Sequence, residues 1–66
     1  MKIQLNGEPR ELPDGCTAEQ LVNEMGLSGR RLAMEVNREI VPRSEYAGNV
    51  LHEGDQVEIV HAIGGG

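Results

Sequence analysis

A chain of 66 residues makes one small domain, and at this size folding buries only ~60% of the unfolded surface, which leaves little room for an internal substrate cavity and argues against intrinsic catalysis. Eleven Asp and Glu against six Lys and Arg give a net charge of -5, and Tyr46 is the only aromatic residue, so both the basic face and the stacking platforms of nucleic-acid binders are missing. No apolar run approaches a membrane span, Cys16 has no second cysteine to pair with, and Met1-Lys2-Ile3-Gln4-Leu5 alternates without a signal-peptide core, so a cytoplasmic protein without membrane contact is expected. The acidic balance fits docking on a basic partner, and equally charge kept for solubility alone.

The first strand is read at Lys2 to Leu5, with Ile3 and Leu5 on one face. Asn6-Gly7 is a strong hairpin signal, because both turn positions favour φ > 0. The return strand runs from Glu8 to about Leu12, and Pro9, which has no N–H for a ladder, makes it an edge. Pro13-Asp14-Gly15 is a turn. Thr17-Ala18-Glu19-Gln20 matches a capping box, and Ala18, Leu21, Val22 and Met25 then share one face of a helix of about two turns. Gly26 fits a left-handed cap with Leu27 packed back on the last turn.

After the loop Ser28-Gly29-Arg30-Arg31, a third strand places Leu32, Met34 and Val36 on one side and Ala33 and Glu35 on the other. Asn37-Arg38 turns the chain into a short strand, Glu39-Ile40-Val41, which Pro42 stops. Ser44 is expected to cap a single helical turn over Ser44-Glu45-Tyr46-Ala47, with Gly48 after it. Val50 and Leu51 are apolar, and Glu53-Gly54-Asp55 is a turn. The last strand is read from Gln56 to Ile63, with Val57 and Ile59 inward and Val60 outward.

The helix bridges two hairpins, so the final strand can pair in parallel with the first at the centre of a mixed sheet covered on one face. This is an α+β, ubiquitin-like β-grasp arrangement. Residues 1–63 are expected to form the single domain and residues 64–66 a flexible glycine tail. Glycine enters spaces that any side chain would block. A strand that runs out into Gly64-Gly65-Gly66 presents the terminal carboxylate of Gly66 on a slim stalk suited to a partner's narrow active site. A frayed or added terminus is the plain alternative.

With the hairpin Val36-Asn37-Arg38-Glu39-Ile40-Val41-Pro42-Arg43, the turn Leu12-Pro13-Asp14-Gly15, the segment Glu53-Gly54-Asp55-Gln56-Val57-Glu58-Ile59 and the glycine end, the whole chain resembles the ubiquitin-like sulfur carriers. More narrowly, it is similar to the ThiS family of thiamine biosynthesis. Two glycines define that family's end, so Gly64 reads as spacer. The resemblance implies a protein co-substrate rather than an enzyme, with no bound cofactor. A ThiF-type adenylyltransferase related to ubiquitin-activating enzymes would use ATP to adenylate Gly66. A cysteine desulfurase or other persulfide donor would supply sulfur to make a thiocarboxylate. A ThiG-type thiazole synthase would consume that sulfur, with Gly64 and Gly65 threading the partner's active site. The alternatives are a carrier for molybdopterin or another sulfur product, and a ubiquitin-like protein modifier.

Val60 and Ile63 flank the tail's exit and are read as partner-docking residues, against ordinary packing or chance exposure. Arg43 reads either as a contact for an acidic partner or as a solvated loop charge. Cys16 precedes a helix N-terminus, a place that can favour a thiolate, but reads as a small turn residue. His52 and His61 do not match a metal-site spacing, so no metal is expected. The scattered Glu residues form a solvated face, since general acid–base work needs a cleft.

Overall fold

The computed structural model describes residues 1–61. Strand β1 (Lys2–Leu5) turns through Asn6 and Gly7, at φ 51° and 84°, into β2 (Glu8–Glu11). Pro9 thereby falls on an edge strand, as its missing N–H requires. Leu12 lies one residue past β2, where its N–H still donates to the Met1 carbonyl at 2.8 Å.

Helix α1 (Ala18–Glu24) begins at Thr17, whose hydroxyl accepts from the Gln20 N–H while the Gln20 side chain accepts from the Thr17 N–H. The reciprocal pair satisfies two donors that a helix start otherwise leaves open. The helix ends in a Schellman arrangement. Gly26 at φ 74° donates to the Asn23 carbonyl and Leu27 to the Val22 carbonyl, both at 3.0 Å. Leu27 is thereby folded back into the core.

Strand β3 (Leu32–Val36) and β4 (Glu39–Val41) form the second hairpin through Asn37 and Arg38. A 3₁₀ helix follows over Arg43–Gly48. The expected cap at Ser44 is corrected here. The capping position falls to Pro42, whose fixed extended φ of -70° points its carbonyl at the Glu45 N–H, 2.9 Å away, and Ser44 lies inside the first turn. Strand β5 (Gln56–His61) closes the sheet in the order β2-β1-β5-β3-β4, parallel to β1 and antiparallel to β3.

One cluster forms the core. Ile3, Leu21, Met34, Leu51 and Val57 are at most 1% exposed, and Ala18, Val22, Leu27, Ile59, Cys16 and Tyr46 surround them. Helix α1 contributes Ala18, Leu21 and Val22, the face its 3.6-residue period collects, so one side of the sheet is covered. Val50, adjacent to Leu51, is not buried; it bridges to Thr17 and stays 44% exposed.

Candidate functional site

Alternation along β5 buries Val57 and Ile59 and turns Gln56, Glu58 and Val60 to the uncovered face. On that face Val60 lies opposite Ala33, and Glu58 opposite Glu35, which in turn lies opposite Ile40 on β4. Val60 is 70% exposed and Ile40 77%. The outward reading of Val60 therefore holds, and Ile40 joins it on an apolar surface crossed by two carboxylates. Like charges directly opposite across strands repel, so the sheet carries the Glu35–Glu58 pair at a cost. Ile63, Gly64, Gly65 and Gly66 lie outside the described residues, as does the expected division between residues 1–63 and 64–66.

Two asparagines hold β5 from either side, a role the turn reading missed. Asn6 Oδ1 accepts from the Ile59 N–H at 2.9 Å, and its Nδ2 donates to the Ile59 carbonyl at 3.2 Å. Backbone pairing of β1 with β5 ends at Leu5 and Val57, so the Asn6 amide continues the ladder where β1 has already turned away. On the other side Asn37 Oδ1 accepts from the Gln56 N–H and Asn37 Nδ2 donates to Asp55, both at 3.0 Å. Asn-Gly and Asn-Arg spell a turn in one dimension. Only the strand order, which puts β5 between both hairpins, brings the two amides to the same strand.

His61, the last described residue, is half-buried and pairs with Leu32 on β3. Arg30 and Arg31 precede Leu32 directly, so they stand beside the point where the described part of β5 ends. Arg43 reaches the same place, its guanidinium donating to the Arg30 carbonyl. His52 is exposed on the Glu53-Gly54 turn. Among the described residues, no group of His, Cys, Asp or Glu is gathered as metal ligands would be. Cys16 is 3% exposed; its desolvation and the nearby Glu24 carboxylate both push its thiol pKa up, the opposite of a reactive thiolate. No helix of the described residues is long and apolar enough to cross a membrane.

A five-stranded mixed sheet with a central parallel pair and one covering helix defines a ubiquitin-like β-grasp domain. A crystal structure of a thiamine biosynthesis protein (ThiS) from Geobacter metallireducens superposes with a TM-score of 0.83, covering 100% of both chains at 23% identity, which establishes the fold. The ThiS family matches residues 3–66, and the chain belongs to that family. A sulfur carrier protein ThiS from Thermus thermophilus is 38% identical over 64 residues, 97% of this chain and 98% of that protein. A thiazole synthase from Paramagnetospirillum magneticum is 47% identical over 66 residues, all of this chain but only 20% of that longer protein. The chain thus spans about a fifth of that relative's length.

Proposed function

We propose that this chain is the sulfur carrier for the thiazole part of thiamine, with Gly66 as the carrying residue. The observation that carries this reading is the ThiS match, which runs through the glycine end to residue 66. A carboxylate is a poor electrophile. Adenylation by a ThiF-type partner using ATP converts it to a mixed anhydride with AMP as leaving group. A persulfide sulfur from a cysteine desulfurase attacks the acyl carbon, AMP departs, and thiol cleavage of the acyl disulfide leaves the thiocarboxylate. A ThiG-type synthase takes this sulfur and returns the carboxylate. Catalysis belongs to these partners, and the chain serves as their co-substrate. The longer thiazole synthase relative supports the pairing, since a segment like this chain and a synthase's name belong to one polypeptide there.

The uncovered face supports the same reading. Val60 on β5 and Ile40 on β4 offer apolar contact on one sheet face, where a tail-accepting enzyme has to approach. Gly64 and Gly65 thread the active site because a side chain there would fill it, and Ile63 adds contact at the rim. The test is intact mass after incubation with ATP, a cysteine desulfurase and the cognate adenylating enzyme. A gain of one sulfur for one oxygen mapped to Gly66 is the expected result. An unchanged mass under conditions that adenylate Gly66 overturns sulfur carriage, and a lysine-linked conjugate in its place marks a protein modifier.

A further inference from the structure

Three of the six basic residues of this acidic chain, Arg30, Arg31 and Arg43, gather at one end, beside Leu32 and the last described residue of β5. The only side-chain ion pair among the described residues, Arg10 with Glu24 at 3.7 Å, lies elsewhere. Among the described residues none of the three guanidiniums has a carboxylate within ion-pair distance, so a positive spot stands on an otherwise acidic chain. Between α1, the loop before β3 and the 3₁₀ helix lies a hollow of about 100 Å³, lined in part by Ser28, Arg30, Arg43 and Tyr46. Glu19 also lines it, and the two guanidiniums outweigh that single charge. Arg31 and Arg43 line a second hollow immediately beside it. Arg43 is held in place by its bond to the Arg30 carbonyl, which uses one of its five N–H donors and leaves the others for a planar, two-oxygen acceptor.

We propose that this arginine collar is a docking site for an acidic rim on the enzyme that receives the tail, with a carboxylate side chain of that enzyme seated between Arg30 and Arg43. The inference rests on the carrier reading for the enzyme's identity, and it adds a second contact distinct from the uncovered sheet face. A hollow of this size accepts an Asp or Glu side chain, and Arg43, bonded through one N–H to the Arg30 carbonyl, has further donors for its two oxygens. The collar stands beside the last described residue of β5, so an enzyme that takes the residues following His61 can meet it as it docks.

The experiment compares binding of the purified cognate adenylating enzyme to the wild-type chain and to the Arg30→Glu/Arg31→Glu variant, across about 50 to about 300 mM salt. Both side chains are exposed, so unchanged circular dichroism and Tm are expected for the variant. Its Kd should rise on the order of tenfold at the lowest salt, and the steep salt dependence of the wild type should flatten. Arg43→Lys, which keeps the charge and loses the fork, should fall between the two. A variant Kd and salt slope equal to wild type overturn the collar. Saturable binding of inorganic phosphate at the Arg30 and Arg43 resonances, with enzyme affinity unchanged in the variant, assigns a small-anion site and overturns it too. Sulfur transfer to wild-type Gly66 is scored separately, so failure of the carrier reading is visible even where the binding comparison succeeds.

Discussion

Arg38 adopts φ 69°, a left-handed conformation that disfavours any residue with a Cβ. The first hairpin has the same two-residue turn with glycine at the matching position, Gly7 at φ 84°. The chain therefore contains its own control, and Arg38→Gly is expected to raise the unfolding free energy by about 0.5–1 kcal/mol, seen as a higher urea midpoint at unchanged slope. Cys16 and Tyr46 supply a second single-residue effect. Burial raises the pKa of both above their ordinary 9.0 and 10.0; Glu24 adds to the rise at Cys16, while Arg43 offsets part of it at Tyr46. A raised folded-state pKa favours the neutral form, so this contribution is intact below pH 9 and is lost as pH climbs through the raised values. Stability should thus decline above pH 9, measured by denaturant unfolding at successive pH values. Cys16→Ala should soften the decline while costing about 1 kcal/mol at neutral pH for the lost packing.

At the scale of the element, β5 is the strand that matters most, because it occupies the centre of the sheet and leads to the tail. It is clamped by backbone ladders and by the Asn6 and Asn37 amides. Asn6→Gly preserves the turn, since glycine adopts φ 51° freely, and removes only the two bonds to Ile59. A loss of about 1–2 kcal/mol follows, with faster hydrogen exchange at the Ile59 amide than at the remaining β5 amides. Unchanged exchange at Ile59 would sink the clamp. Strand positions, the capping box and both hairpin turns were legible in the sequence because each is written in adjacent residues. The clamp was not, since Asn6 and Ile59 are separated by 53 positions and meet only after β5 inserts between the hairpins. Ser44 shows the converse. Its cap signal was local, but Pro42 had already set the backbone two residues earlier.

The whole molecule is two-sided. Helix α1 covers one face of the sheet, and the other carries Val60 and Ile40 around the Glu35–Glu58 pair, with the arginine collar beside the end of the described β5. Val60 was legible because strict alternation from Val57 fixes its direction. Ile40 was not, because β4 has three residues and its facing is set by its register on β3 rather than by its own pattern. A residue 70% exposed has little burial to lose, so Val60→Asp should cost no more than about 1 kcal/mol of stability, from lost strand propensity and repulsion by Glu58, and the protein stays folded. In complex with a tail-accepting enzyme the same carboxylate would sit in an apolar contact beside Glu35 and Glu58, unpaired and partly desolvated. Binding of the cognate adenylating enzyme should therefore weaken by on the order of tenfold or more, with the deficit persisting at high salt because desolvation, not long-range charge, causes it. That persistence separates the face from the collar, whose contribution fades as salt rises. A Val60→Asp protein that binds as tightly as wild type would remove this face from the interface and leave the collar and tail to account for docking.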